Sequence, residues 1–139
     1  MAAKKLKELE PGDSIWGISI HNGFVSIDEY TVRKKLQKCP MTEQLGMLIE
    51  RKESGKKIYS HFALESKNSS RAMDVDSISY DTGRLIVLTD KKRAYTEYRS
   101  TVKKQCKYNS QMITIKKREI KTLQESNRKM REIAKENND

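Results

Sequence analysis

The stretch Ser14-Ile15-Trp16-Gly17-Ile18-Ser19-Ile20-His21-Asn22-Gly23-Phe24-Val25-Ser26-Ile27 alternates apolar and polar residues on either side of one turn signal. Trp16, Ile18 and Ile20 recur at period two, which puts them on one face of an extended strand. Asn22-Gly23 tolerates positive φ at two successive positions, the requirement of a two-residue hairpin loop. Phe24 to Val32 is the return strand, with Val25 and Ile27 alternating. Upstream, Pro11-Gly12-Asp13 turns the lead-in Leu6-Lys7-Glu8-Leu9-Glu10 into the first strand.

Two further pairs repeat the pattern. Leu45 to Arg51 and Lys57 to Leu64 join through Glu53-Ser54-Gly55, with Ile58, Phe62 and Leu64 on one face and Tyr59, His61 and Ala63 on the other. Val75 to Tyr80 and Arg84 to Leu88 join through Asp81-Thr82-Gly83, and the polar run Ser66 to Arg71 is a surface loop. Six strands in successive hairpins predict an antiparallel meander that protects its edges by curling into a small barrel.

All six Gly and both Pro precede residue 84, and from Thr89 the period changes to that of a helix. Thr89 or Asp90 supplies an N-cap. Tyr95, Tyr98, Val102, Cys106, Ile113, Ile120, Leu123, Met130 and Ala134 are separated by threes, fours and their sums, which keeps them on one stripe. An unbroken helix of nearly fifty residues reaches roughly 70 Å, more than a domain of ninety residues covers. The weak point is Tyr108-Asn109-Ser110, followed by the β-leaning Met112-Ile113-Thr114-Ile115. The expected class is therefore α+β: a small barrel or curled meander over 1–88, then a long basic amphipathic helix over 89–139.

The chain has 139 residues, 29 Lys and Arg, 19 Asp and Glu, and a net charge of +10. Residues 1–89 carry only +2 of that excess and residues 90–139 carry +8. Charged residues make up 35% of the chain and hydrophobic residues another 35%, so the core is small and a large enzyme cleft is not expected. Between Lys91 and Arg118, Lys91, Lys92, Arg93, Arg99, Lys103, Lys104, Lys107, Lys116, Lys117 and Arg118 face one acid, Glu97. A solvated helix mixes both signs; this imbalance points to nucleic acid or an acidic protein surface. Arg51, Lys52, Lys56 and Lys57 form a second patch and Arg33-Lys34-Lys35 with Lys38 a third, both expected at strand ends or turns on a barrel rim, with Trp16, Tyr30 and Tyr59 as stacking platforms. On the helix, Tyr95, Tyr98, Val102, Ile113, Ile120, Leu123 and Met130 are the expected protein interface, as a homo-oligomer or hetero-complex. The same repeat puts Asn109, Lys116 and Asn127 in line with them, and a buried Asn fixes coiled-coil register.

Catalysis finds little support. His21 and His61 stand alone, Asp74-x-Asp76 lacks further metal ligands, Cys39 has no base beside it, and Gly55-Lys56 lacks the upstream glycine of a phosphate loop. No catalytic residue, metal or cofactor is expected. Cys39 and Cys106 are too few for a disulfide framework, and no apolar run approaches the length that crosses a bilayer, so the expectation is a cytoplasmic protein that does not engage the membrane. The opening Leu6-x-x-Leu9-x-Pro11-Gly12-Asp13-x-Ile15-Trp16 resembles the first strand of small SH3-like β-barrels of bacterial and phage proteins. That resemblance covers about ten residues and implies a barrel that binds nucleic acid or protein. The function expected is non-enzymatic binding of nucleic acid or a nucleoprotein. The alternative is a structural or inhibitory assembly protein, for example of a phage, whose helix docks on an acidic protein surface or self-associates.

Overall fold

The structure is a computed structural model that describes residues 3–38, 45–53, 59–63, 75–81 and 85–137. Six strands, β1 Ser14–His21, β2 Phe24–Lys38, β3 Leu45–Arg51, β4 Tyr59–Ala63, β5 Ser79–Asp81 and β6 Ile86–Leu88, precede one helix, α1 Lys91–Glu136. The fold is α+β: every strand pairing is antiparallel and a single long helix follows the sheet.

The first hairpin forms as its sequence predicts. Asn22 and Gly23 take φ values of 50° and 78°, and the loop they make sets His21 opposite Phe24 and Ile18 opposite Ile27. The strand order is β4-β3-β2-β1-β6-β5. β1 therefore pairs with both the next strand and the last one, Trp16 lying opposite Leu88 and Ile18 opposite Ile86. Among the described residues the sheet is open, with β4 and β5 at its edges.

Two strands differ in extent from their sequence pattern. β2 continues past Val32 to Lys38, with register shifts between Val32 and Lys34 and between Lys34 and Gln37. Bulges of this kind let a strand absorb an extra residue and bend, and they carry Arg33-Lys34-Lys35 within the strand rather than at its end. β5 begins only at Ser79, because the carbonyls of Val75 and Ser77 accept the amides of Lys7 and Leu6. A backbone carbonyl engaged in that way does not build a ladder with β6. The residues expected to turn at 54, 55, 82 and 83, the expected strand start at 84, the apolar positions Ile58 and Leu64, and the loop 66–71 lie outside the described residues.

The sheet buries both faces. On one, Ile15, Tyr30, Val32, Met47, Ile49 and Val87 pack with Leu6 and Leu9 from the lead-in, which makes a single 3-10 turn at Leu6–Glu8. On the other, Ile18, Val25 and Leu88 pack with Ala94, flanked by Trp16, Ile27, Ile86, Tyr98 and Val102. The period-two face of Trp16 and Ile18 is thus the helix-facing one, and Ile20, at the end of the hairpin, is 51% exposed. Thr89 links the pieces: its amide donates to Ile78 O, and its hydroxyl donates to Lys4 O.

Helix α1 starts where a cap is available. Asp90 accepts the Arg93 amide on its carboxylate at 3.1 Å, and its carbonyl accepts the Ala94 amide at 2.9 Å. The helix runs unbroken through Tyr108-Asn109-Ser110. Gln105 Nε2 donates to Asn109 Oδ1 at 2.9 Å, and the Thr114 hydroxyl donates to Ser110 O at 3.1 Å, so polar side chains with turn-forming habits are engaged within the helix. The chain divides into two compact units, Met1–Val102 and Lys103–Asp139. The first turns of α1 belong with the sheet.

Candidate nucleic-acid interface

In the first unit, Ala94 is fully buried and Tyr98 and Val102 are half-buried against the sheet. At about 100° per residue, Lys92 and Arg99 fall to the flank of the face that these three bury, and Lys91 falls on the same side as Tyr98 and Val102. Lys91, Lys92, Arg93 and Arg99 are all exposed. In the second unit, Met112, Ile113, Ile120, Leu123 and Met130 share one side of α1 by the same spacing, Lys103, Lys107 and Arg118 share the other, and Lys117, four residues after Ile113, lies at the border. Lys104 lies at the flank of that basic side, and Lys116 falls inside the apolar stripe between Ile113 and Ile120. Within each unit most of the cations lie away from the apolar face, Lys91 and Lys116 excepted, and among the described residues none of the ten bases from Lys91 to Arg118 is in an ion pair. Ser100, Ser110 and Gln111 lie among the charges with polar side chains, while the Thr96 and Thr114 hydroxyls donate to Lys92 O and Ser110 O within the helix.

The bases of the sheet are differently placed. Arg51 donates to Asp28 Oδ2 at 3.0 Å, and Lys52 Nζ reaches Glu29 Oε1 at 2.8 Å and Ser14 Oγ at 2.6 Å. Arg33 pairs with Glu50 across the β2–β3 ladder. The hydrogen bond from Lys52 holds the Glu29 carboxyl below the usual carboxylate range, with a smaller contribution from the charge of Lys91. The Tyr30 hydroxyl and the charges of Asp28 and Glu53 raise the Arg51 guanidinium further above its ordinary value. Sequence spacing does not show these partners, because Asp28 and Arg51 are 23 positions apart and meet only through the strand register. Lys34 and Lys35 are exposed on β2. Lys56, Lys57 and the side chain of Lys38 lie outside the described residues.

Of the aromatic platforms, Tyr30 is 6% exposed and belongs to the core, so no base can stack on it. Trp16 is half-buried beside Leu88, and the side chain of Tyr59 lies outside the described residues. The sequence did not flag Phe24, 72% exposed at the hairpin tip beside the half-exposed Ile20. Of the protein-interface residues, Tyr98 and Val102 pack on the chain's own sheet, Tyr95 is 38% exposed and meets Tyr98 edge to face at 6.3 Å, and Ile113, Ile120, Leu123 and Met130 are each more than half exposed.

The polar candidates for chemistry are dispersed. Asp76 pairs with Lys7, which holds its carboxyl below the usual range, while Asp74, Cys39 and the side chain of His61 lie outside the described residues. His21 Nε2 lies 3.3 Å from Asn22 Nδ2 in the turn. No group of three or more His, Cys, Asp or Glu is placed to hold a metal ion among the described residues. No helix among them is long and apolar enough to cross a membrane.

No protein-family model matches this chain, and no curated protein or solved structure matches it significantly.

Proposed function

We propose that the chain is a non-enzymatic nucleic-acid-binding or nucleoprotein-associated protein that meets phosphate through the basic side of α1. One observation carries the reading: ten exposed bases between Lys91 and Arg118 face a single acid, Glu97, and none of them is neutralised by an ion pair among the described residues. Unpaired cations closely spaced along a helix suit a polyanion with regularly spaced phosphates, and each neutralised phosphate releases counterions. Arg51 and Lys52 assist less in this reading, since their charge is already balanced by Asp28 and Glu29. The sheet half is proposed to act as an SH3-like barrel that carries the helix. The pairing of the first strand with the last supports closure, because a six-strand meander needs that ladder and one more between β4 and β5. A cytoplasmic location goes with this reading, since its ligand is there.

The test is a titration of the full chain with generic duplex and single-stranded nucleic acid across a salt series. Affinity should fall steeply and linearly on a double-logarithmic plot, and no binding at low salt would overturn the reading. A second reading, an assembly protein whose helix self-associates or docks on an acidic protein surface, is favoured by the exposed stripe from Ile113 to Met130. Light scattering on the chain alone distinguishes an oligomer from a monomer.

A further inference from the structure

Stacking a nucleic-acid base on a protein needs an aromatic face in water with cations beside it for the flanking phosphates. Among the described residues, the exposed aromatic side chains are Phe24, Tyr95 and Tyr108, at 72%, 38% and 55%. Phe24 stands in a hairpin that has no Lys or Arg from Ser14 to Val32. Tyr108 has one base, Lys104, among its helix neighbours three and four residues away, whereas Tyr95 has three, Lys91, Lys92 and Arg99. Tyr95 also belongs to the turns of α1 that pack on the sheet, between Ala94 and Tyr98.

The ring is held on one side and open on another. Tyr98, three residues on and half-buried against the sheet, meets it edge to face at 6.3 Å with the ring planes 77° apart. Whichever ring presents its edge, such a pair leaves at least one face of Tyr95 uncovered by Tyr98. A ring already restrained by its neighbour loses little freedom when a base is laid on it.

The charges around Tyr95 divide by role. Lys92 and Arg99 lie about one turn before and one turn after it on its solvent flank, and neither is in an ion pair among the described residues. Arg99 Nη2 donates to a neutral partner, Thr96 Oγ1 at 3.4 Å, which leaves the guanidinium charge uncompensated. Lys91 is drawn toward the sheet instead, where the Glu29 carboxyl feels its charge. Glu97, the one acid between Lys91 and Arg118, falls on the opposite side of the helix from Tyr95. A ring with an uncompensated cation a turn away in each direction matches a nucleotide, whose base leaves the backbone between two phosphates.

The pairing state of the strand sets the class of ligand. In a duplex each base is stacked on its neighbours, and laying one on Tyr95 would require unpairing it and flipping it out. In a single strand the base faces are accessible without that cost. We infer that Tyr95 is a stacking platform for an unpaired base of a single-stranded nucleic acid, with Lys92 and Arg99 on the phosphates at either side. This rests on the phosphate-binding role proposed for α1 and narrows its ligand to an unpaired strand.

The experiment titrates the full chain with three probes of equal length at fixed low salt: a single-stranded DNA oligomer of mixed sequence, an abasic strand, and the duplex. The abasic strand carries the same phosphates without the bases. The parent chain should bind the intact strand roughly 5- to 150-fold more tightly than the abasic one, the range of one base stacked on an aromatic ring. Tyr95→Phe keeps the ring and should keep that preference. Tyr95→Leu keeps an apolar side chain against Tyr98 and should abolish the preference, while the salt slope, which counts phosphates, stays that of the parent. Trp16 fluorescence reports that the sheet of each variant is folded. Equal affinity of the parent chain for the intact and abasic strands, a comparison that needs no variant, overturns the stacking and leaves the phosphate contact standing. A preference that survives Tyr95→Leu overturns Tyr95 as the platform. An equal loss on the duplex overturns the single strand as the ligand, and no binding of any probe at low salt overturns the phosphate contact along with the platform.

Discussion

Arg51 is bound to Asp28 at 3.0 Å across the β2–β3 ladder, with the Asp28 side chain only 11% exposed. A guanidinium so engaged is a structural cation before it is a ligand for phosphate. Replacing Arg51 with Ala should therefore lower stability by about 1 kcal/mol, the upper part of the range for partly exposed pairs, and leave the salt dependence of nucleic-acid binding nearly unchanged. Urea unfolding and a salt-series titration of the same variant check both halves of this expectation.

The bases of α1 should behave in the opposite way. Changing Lys103, Lys107 and Arg118 to Ala together removes three cations from exposed helix positions where no packing is lost. The slope of log affinity against log salt should become shallower by roughly 3, at about 0.9 per neutralised phosphate of a duplex, and affinity should fall alike for unrelated sequences. Unfolding midpoints should stay within experimental scatter of the parent chain, and a slope equal to the parent's would remove the basic side of the helix as the contact.

Gly17 is buried where β1 crosses the core, and a Cβ added there would lie 2.7 Å from Leu85 Cδ1 and 2.8 Å from Tyr30 Cε2. Both distances are shorter than two carbon atoms tolerate. Gly17→Ala should destabilise the chain by about 1–3 kcal/mol through overpacking, read as a lower urea midpoint. Leu85→Ala in the same chain should not restore it, since the ring of Tyr30 still occupies the space.

The pH dependence follows from two carboxylates. Asp13 is held below its usual range by the hydrogen bond from Lys4 and by the Glu10 amide, and Glu29 is held below by Lys52. A depressed folded-state pKa gives stability that is present above the unfolded value and lost as pH falls through the folded one. Stability should decline below roughly pH 4, and Asp13→Asn should flatten part of that decline. Lys4 is raised by the same pair, so its share is present below the ordinary lysine range and lost as the solution becomes strongly alkaline. Urea unfolding followed by Trp16 fluorescence over a pH series measures each limb.

The helix N-cap offers a local test. Asp90→Ala removes the acceptor of the Arg93 amide and should cost about 1 kcal/mol; Asp90→Ser should retain most of it. Thermal unfolding of the pair compares them directly.

Local chemistry was legible where it needed no distant partner. The Asn22-Gly23 loop, the period-two run before it, the cap at Asp90 and the helical stripe after it are each set within a few residues, by backbone sterics and side-chain spacing. The extension of β2 was hidden, because Arg33-Lys34-Lys35 reads as a polar turn until Glu50 is seen across the ladder from Arg33. The short β5 was equally hidden, since the amides that take up the Val75 and Ser77 carbonyls belong to Lys7 and Leu6, nearly seventy residues earlier.

Charge shows the same division. The order of residues alone established that the excess positive charge belongs to α1, that it clusters between Lys91 and Arg118, and that a stripe of apolar residues accompanies it, since all of this follows from the 3.6-residue period. Which cations are paired among the described residues depends on folding, because strand register carries Asp28, Glu29 and Glu50 to Arg51, Lys52 and Arg33, and Glu29 also feels the charge of Lys91 at the start of the helix. Folding also settled which part of the stripe is spent: Ala94, Tyr98 and Val102 close the sheet's second face, and Ile113 to Met130 remain exposed, because burial depends on what the rest of the chain can reach.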